Sequence, residues 1–210
     1  MSHHLVEAEG LRHVWPDGTV ALDGVTFRIT HGEAVGVVGA NGAGKSTLLL
    51  HLAGALVPRE GRVRVGDVPV TKTTLETVRR AVGTVFQDPD DQLFLPTVRD
   101  DVAFGPLNLG LPPEDVEARV ASALDAVDAG PLAPRAPWRL SGGEKRRVAI
   151  ATVLAMKPDV LVLDEPSSGL DPRSRREVID LLKAFRHTRV VATHDLDLVL
   201  DVCERTIVLD

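Results

Sequence analysis

Residues 39–46 near the start of the chain have the spacing of a phosphate-binding loop. They read Gly-Ala-Asn-Gly-Ala-Gly-Lys-Ser, which fits the pattern G-x-x-x-x-G-K-[ST]. Glycines let backbone N–H groups turn inward around an anion, and the helix that follows adds positive potential at its N-terminus. The lysine is expected to reach the β- and γ-phosphates, and the next hydroxyl is expected to hold Mg²⁺. The predicted contacts to the phosphates are Gly39, Ala40, Asn41, Gly42, Ala43, Gly44, Lys45, Ser46 and Thr47.

Two acidic residues follow a second apolar stretch. Residues 160–163 read Val-Leu-Val-Leu, and Asp164 and Glu165 come directly after them. Asp164 fits the acid on the magnesium side of such a site. Because side chains alternate along a strand, Glu165 is expected to point elsewhere, where its carboxylate can polarise an attacking water as a general base. Together the two motifs predict a site that binds and hydrolyses a nucleoside triphosphate.

A second anion site is predicted at Ser141, Gly142 and Gly143. The serine can cap the N-terminus of a helix, and the two glycines expose backbone N–H groups. One chain has only one γ-phosphate to bind, so a second phosphate-binding helix start implies the nucleotide of a partner. The sequence therefore predicts a head-to-tail dimer with two ATP molecules at its interface.

Several classes of protein contain a phosphate loop, and the rest of the sequence separates them. A GTPase should carry the base-reading motif Asn/Thr-Lys-x-Asp. Residues 71–74 read Thr-Lys-Thr-Thr and lack its aspartate. A small-molecule kinase has no need of a second anion site.

Residues 140–144, Leu-Ser-Gly-Gly-Glu, resemble the signature motif of the ATP-binding cassette (ABC) family. The resemblance covers nearly the whole chain. It implies that Gln87 is the Q-loop glutamine, which touches Mg²⁺ and the attacking water, and that His194 is the switch histidine at the γ-phosphate. Residues 168–171 resemble the D-loop, with Gly169 in place of the common alanine.

The resemblance also implies roles for Trp15 and Glu144. The family places an aromatic residue near position 15 to stack on adenine, and tryptophan offers a large face for that contact. Glu144 joins the signature residues that contact the nucleotide, although most family members have glutamine there. The implied Mg²⁺ ligands are Ser46, Gln87 and Asp164.

Residues 87–94, Gln-Asp-Pro-Asp-Asp-Gln-Leu-Phe, look like the extended Q-loop of the energy-coupling factor type, which serves vitamin and transition-metal uptake. In the family this region receives a helix from a transmembrane subunit. Residues 88–94 form an acidic and apolar surface. Its acidic residues would suit arginine or lysine on that helix. The alternative is a solvated loop with a buried Phe94.

The elements that position these residues follow from hydrophobic patterning. Short β-branched runs at 34–38, 160–163 and 189–192 predict buried strands. Helices are predicted over 45–53, 113–127, 143–156 and 173–185. Alternating segments at 25–29 and 62–65 predict antiparallel strands at the edge of the sheet, and 206–209 a final strand.

We therefore expect an α/β fold: a P-loop NTPase (RecA-like) core with a mostly parallel sheet, an N-terminal antiparallel β subdomain and an inserted helical subdomain. One ABC ATPase domain would span residues 1–210. Residues 1–87 and 157–210 form the α/β core with its antiparallel edge, and residues 88–156 form the helical subdomain. Trp138 is expected to pack inside that subdomain.

Composition limits the remaining classes. The chain has 210 residues and a net charge of -6, which disfavours nucleic acid as a partner. No apolar run approaches the ~20 residues that span a bilayer. The single cysteine, Cys203, excludes an intrachain disulfide and fits a reducing compartment.

The resemblance implies an ATP-hydrolysing subunit that energises a membrane importer from the cytoplasmic face of the cell membrane. Its partners are a second copy or a paralogue, and transmembrane subunits. The alternatives are a soluble ABC ATPase of DNA repair, a translation-factor relative, a regulatory binding module and an exporter subunit. Long coiled coils or a second cassette would mark the first two, and neither is present. Relatives continue past Asp210, which puts nucleotide-free dimerisation in doubt.

Overall fold

The computed structural model describes residues 6–185 and 187–210. The chain divides into two compact units. The first comprises Met1–Thr84, Asp159–Glu165 and Arg186–Asp210, and the second comprises Val85–Pro158 and Pro166–Phe185. Among the described residues, no helix combines the length and the apolar composition that crossing a membrane requires. The division of the core at 87 and 157 stays a prediction.

The described strands form two sheets. One has four strands in the order β2-β1-β4-β5, and the other has five in the order β6-β7-β8-β3-β9. The strands are β1 (Val6–Val14), β2 (Val20–Ile29), β3 (Ala34–Gly39), β4 (Glu60–Val65), β5 (Val68–Pro69), β6 (Val82–Val85), β7 (Val160–Asp164), β8 (Thr188–Ala192) and β9 (Arg205–Leu209).

The five-stranded sheet contains the buried strands that the apolar runs predict. β3 pairs in parallel with β8 and with β9, and β7 pairs in parallel with β8. All five residues of β8 are buried. The β-branched side chains of Thr188, Val190 and Val191 pack well on a pleated surface covered on both faces. Because parallel strands share a direction, the chain leaves β3, β7 and β8 at the same edge of the sheet, and each is followed there by predicted site residues.

The antiparallel strands are confirmed, but their predicted place at the edge of the parallel sheet is wrong. β1 pairs antiparallel with β2 and with β4, so these strands form a sheet of their own. The inward residues of both sheets share one core, which includes Leu11, Ile29, Val37 and Val190. This common burial is what joins the two sheets into the first unit. Alternation along a strand predicts one buried face but does not say which strand is its neighbour.

The helices agree with the predicted ones to within two residues where both exist, and three further helices were not predicted. The unpredicted ones are α2, α3 and α7, whose patterns are short or contain proline. The helices are α1 (Lys45–Leu52), α2 (Leu75–Ala81), α3 (Val98–Asn108), α4 (Pro113–Ala126), α5 (Gly142–Leu154), α6 (Pro172–Ala184) and α7 (Leu196–Val202).

The second unit is mainly helical. α3 packs against α4 and α5, and α5 also packs against α6. The apolar face predicted for α4 is buried at Val116, Val120, Ala123 and Leu124. α5 buries Val148 and Ile150 in its middle turns. This packing fixes the direction of α5, whose first residues carry the predicted second anion site.

Candidate functional site

The phosphate loop connects β3 to α1, as its pattern predicts. Gly44 caps α1 with a φ of 87°, a left-handed conformation that glycine adopts without strain. A Cβ atom on Gly44 would overlap the carbonyl oxygen of Ala21 in β2. Gly44 is therefore required both by its backbone conformation and by the close approach of β2. Residues 40–42 are exposed, so the loop presents its backbone to solvent.

Lys45 turns back into the loop. Its Nζ donates to the carbonyl oxygens of Gly39 at 2.9 Å and Ala40 at 3.0 Å, and the residue is only 8% exposed. The ammonium group is therefore held inside the ring of loop atoms. A fixed cation in this position can attract and orient a phosphate group. Thr47 is buried in the first turn of α1, and Ser46 beside it is exposed.

Asp164 lies at the end of β7, next to the first turn of α1. The Ser46 hydroxyl donates to its carboxylate. Burial raises the pKa of Asp164, while the Ser46 hydrogen bond and the charge of Lys45 oppose that rise. A hydroxyl and a carboxylate oxygen in contact are the hard oxygen donors that Mg²⁺ prefers. These two residues therefore fit the predicted metal.

Glu165 is held by two residues that follow β8. Its Oε2 accepts from Thr193 Oγ1 at 2.9 Å, and its Oε1 lies 2.9 Å from His194 Nδ1. Glu165 itself has a φ of 46°, which turns its side chain out of the strand direction. Its side chain is 9% exposed and that of His194 is 65% exposed. The carboxylate of Glu165 is thus held by hydrogen bonds, whereas His194 beside it is open to solvent.

Thr193 was not among the predicted site residues. It is fully buried, and its hydroxyl also accepts from the backbone N–H of Asp195. Threonine is common in β-strands, so a threonine next to a strand does not by itself indicate a functional site. Its position directly before His194 was the available clue.

Trp15 lies in the turn between β1 and β2. Its backbone N–H donates to Thr19 O at 2.9 Å, which closes the turn. The ring packs edge-on against His13, with 4.6 Å between the ring centroids. His13 in turn lies against His51 of α1, and the distance between His13 Nδ1 and His51 Nε2 is 3.1 Å. The histidine pair supports the tryptophan and was not among the predicted site residues.

The buried histidine predicts a pH-dependent stability. Burial and the neighbouring His13 lower the pKa of His51 from 6.5 to about 4. Between these values the unfolded chain binds a proton that the folded chain does not, so stability falls as the pH drops through this window. From pH 7 to pH 5 we expect a loss of about 2 kcal/mol in the free energy of unfolding from this group.

Urea unfolding at pH 7, 6 and 5 measures this loss. The His51→Gln variant serves as its reference, because every other titrating group is retained. The wild type should lose more stability than the variant as the pH falls. Parallel pH curves for the two proteins would show that His51 does not carry the effect.

Ser141 caps α5, as predicted, and Glu144 completes a capping box. The Glu144 N–H donates to Ser141 Oγ at 3.3 Å, and Glu144 Oε2 accepts from Ser141 N at 2.8 Å and from Ser141 Oγ at 3.0 Å. These hydrogen bonds hold the pKa of Glu144 below its ordinary value. A Cβ atom on Gly143 would overlap the Ser174 side chain of α6, so only glycine fits there.

Gln87 follows β6 and is exposed. Residues 89–91 after it form one turn of 3-10 helix, which Asp88 caps by accepting from Asp90 N at 2.9 Å. Lys145 donates to Asp90 Oδ1 at 2.6 Å and neutralises part of the acidic segment. Asp88 and Asp91 remain exposed.

Phe94 is exposed over 62% of its surface, so its burial in a solvated loop, the alternative considered above, is wrong. Its ring packs edge-on against Phe104 of α3 at 5.3 Å, and Leu107 on the same helix is also exposed. We call residues 88–94 with Phe104 and Leu107 the docking surface. The α3 residues were missed because a helical pattern does not show which face lacks a neighbour.

The predicted packing of Trp138 inside the helical region is also wrong. Trp138 lies in the 3-10 helix Pro137–Arg139 and is 68% exposed. The short helix holds its side chain outward, whereas Pro137 beside it is buried.

The structure thus places the predicted residues in two groups. The first unit brings together Lys45, Ser46, Asp164, Glu165 and His194, and it also contains Trp15. The second unit contains Gln87 and residues 141–144. The roles of all these residues at a nucleotide stay predictions.

Sequence comparison identifies the family. Residues 22–168 match the family model described as ABC transporter. A putative ABC transporter ATP-binding protein of Geobacter sulfurreducens is 68% identical over 209 residues, which cover 100% of this chain and 84% of that protein. An energy-coupling factor transporter ATP-binding protein of Methanothermobacter thermautotrophicus is 49% identical over 211 residues, which cover 98% of this chain and 68% of that protein.

Solved structures agree with this result. The structure of cbiO1 from Clostridium perfringens, described as part of the ABC transporter complex cbiONQ, has a TM-score of 0.89 and 40% identity, covering 99% of this chain and 85% of that one. A dimeric ATP-binding cassette in a post-hydrolysis state with ADP and Pi has a TM-score of 0.87 and 30% identity, covering 98% and 94%. The chain therefore belongs to the ABC transporter family, as an ATP-binding protein of the kind whose general activity is ATP hydrolysis.

Proposed function

We propose that this chain is the ATPase subunit of a membrane importer of the energy-coupling factor type, which takes up a vitamin or a transition-metal ion. It would act at the inner face of the cell membrane as half of a head-to-tail dimer with a second copy or a paralogue. The observation that carries the importer assignment is the docking surface, where exposed acids adjoin an exposed phenylalanine pair. The names of two similar proteins, an energy-coupling factor ATPase and a part of cbiONQ, support it.

The proposed site accounts for binding and hydrolysis of ATP. Trp15 stacks on the adenine, and residues 39–47 surround the phosphates with backbone N–H groups and Lys45. Residues 141–144 of the second copy close over the γ-phosphate from the opposite side. The dimeric cassette found with ADP and Pi supports this arrangement.

Glu165 is the proposed general base. Thr193 and His194 hold both of its carboxylate oxygens, so the group is oriented before substrate binds. His194 is largely exposed and is proposed to contact the γ-phosphate at the same time. Ser46, Asp164 and Gln87 are the proposed Mg²⁺ ligands. The ion, when bound, neutralises phosphate charge.

The docking surface fits a helix of a transmembrane subunit. Asp88 and Asp91 offer negative charge to an arginine or lysine, and Lys145 already pairs with Asp90. Phe94 and Phe104 offer an apolar contact beside these acids. Aromatic anchors surrounded by polar groups are typical of residues that dominate binding at an interface.

Replacing Phe94 with Ala tests the proposal. The chain, purified with its transmembrane subunits and reconstituted in liposomes, is expected to drive ATP-dependent uptake of one of Co²⁺, Ni²⁺ or biotin. Phe94→Ala is expected to lower both uptake and copurification of the subunits by about tenfold or more, since interface anchors contribute strongly to affinity. Leu200→Ala is the matched control, because Leu200 is 83% exposed but lies on α7.

The outcomes separate the remaining alternatives. Equal losses of uptake and copurification in Phe94→Ala and Leu200→Ala would contradict the proposed role of the docking surface. ATP-driven efflux in place of uptake would favour an exporter subunit. ATP hydrolysis in a chain that never copurifies with a transmembrane protein would favour a soluble ABC ATPase.

A further inference from the structure

Arg146 is a buried arginine that the proposed reaction does not yet use. It lies on the second turn of α5 and is 2% exposed, so its guanidinium has almost no contact with water. Within the described residues, no carboxylate forms an ion pair with it, although the charge of Asp88 is close enough to offset part of the cost of its burial. A buried cation without such a partner is costly unless hydrogen bonds replace its lost hydration. Its partners therefore indicate what its burial achieves.

Those partners are two backbone carbonyls at the predicted Q-loop. Nη1 donates to Phe86 O at 2.7 Å, and Nη2 donates to Gln87 O at 2.6 Å. Both distances are short for a nitrogen donor, as expected of a charged group. The main chain at Gln87 is thus held directly by the helix that begins with the signature residues.

Two further side chains fix the rest of this segment to α5. Gln92 Nε2 donates to Ala149 O at 2.8 Å and to Thr152 Oγ1 at 2.7 Å, and Gln92 Oε1 accepts from Phe86 N at 3.1 Å. Lys145 donates to Asp90 from the first turn. Residues 86–92 are therefore attached to α5 at both ends and in the middle.

We propose that Arg146 is a positioning residue that fixes Gln87 and the docking surface to the signature helix, so that all three move as one body. The inference rests on the proposed function, in which Gln87 serves the reaction and the docking surface contacts the membrane subunit. When Ser141 moves toward the nucleotide bound by the second copy, α5 moves with it, and Gln87 and the docking surface move together with α5. A segment held only by its own turns would not follow the helix in this way.

Three variants test the proposal. Arg146→Met keeps an unbranched side chain and removes the donors, Arg146→Lys keeps the charge, and Arg119→Met is the matched control. Arg119 also donates to two backbone carbonyls in the second unit, those of Ala155 and Met156, but these lie at the end of α5. The first variant is expected to speed amide hydrogen exchange of residues 86–94 by about tenfold or more, since hydrogen bonds to a charged group are lost.

The same variant should lower kcat by about tenfold or more, because small displacements of reacting groups have large effects on rate. The affinity for ATP in the absence of turnover should stay within about threefold of wild type, because the phosphate loop belongs to the first unit. Arg146→Lys should recover part of both losses. A uniform loss of stability would instead affect exchange throughout the chain and would appear equally in Arg119→Met.

Unchanged exchange of residues 86–94 in Arg146→Met, or an unchanged kcat despite faster exchange, would overturn the proposal. So would an equal loss in Arg119→Met. If Arg146→Met does not fold, Gln92→Leu decides, with the same expected losses and the same contradicting results. A wild-type protein without ATPase activity would contradict the proposed function, whereas an active wild type with an unaffected Arg146→Met contradicts only the inference.

Discussion

Replacing Glu165 with Gln is expected to stop ATP turnover while ATP binding is retained. Glutamine preserves the shape of the side chain and can still accept from Thr193, whose hydroxyl lies 2.9 Å from Oε2. It cannot take a proton from the attacking water, so the general-base contribution is lost. Such contributions amount to about 10²–10⁴-fold in rate. Phosphate release in steady state measures the loss, and equilibrium titration with ATP measures the retained affinity.

The same variant should accumulate as a dimer when ATP is present, because the closed state is no longer resolved by hydrolysis. Size-exclusion chromatography with and without ATP shows this directly. Glu76→Gln is the control, since Glu76 is an exposed glutamate of α2 whose ion pair within the described residues is with Arg80. Turnover that persists in Glu165→Gln would contradict the assignment of the base. A wild type that binds ATP without turnover would favour the regulatory binding module.

Replacing Lys45 with Ala is expected to weaken ATP binding by about 10–100-fold, the range for losing hydrogen bonds to a charged group. The ammonium group is 2.9 Å from Gly39 O and 3.0 Å from Ala40 O, and burial limits its exposure to 8%. Its removal takes the fixed positive charge out of the loop. Backbone N–H groups alone cannot replace the charge-assisted contacts to the phosphates.

Isothermal titration with a non-hydrolysable ATP analogue measures the affinity. Arg80→Ala is the control, because Arg80 is an exposed cation of the same unit that lies on α2 and pairs with Glu76. Its affinity should equal that of the wild type. An affinity for Lys45→Ala within about threefold of wild type would show that the loop binds phosphate through its backbone alone.

The two sets of measurements are independent of one another. Lys45 lies in the first turn of α1 and acts on binding, whereas Glu165 follows β7 and acts on the rate. Loss of ATP binding in both variants would indicate that Glu165→Gln disturbs the fold of the phosphate loop. Thermal unfolding of each variant separates that case from a specific effect.

The sequence by itself determined the features that depend on neighbouring residues. The strand–loop–helix of residues 34–52, the cap of α5 at Ser141 and the acids after β7 all follow from local patterns. The reason is that turn geometry, capping and strand burial each depend on residue types within a few positions. The fold class followed from the alternation of such elements.

Only the tertiary structure decided which residues distant in the sequence meet and which side chains stay uncovered. Thr193 holds Glu165, His13 meets His51, and Arg146 reaches the carbonyl of Gln87. Trp138 was expected to be buried, and burial of Phe94 was an alternative, but both side chains are exposed. Contacts of this kind depend on how strands and helices pack, and a periodic pattern shows a buried face without naming the element that covers it.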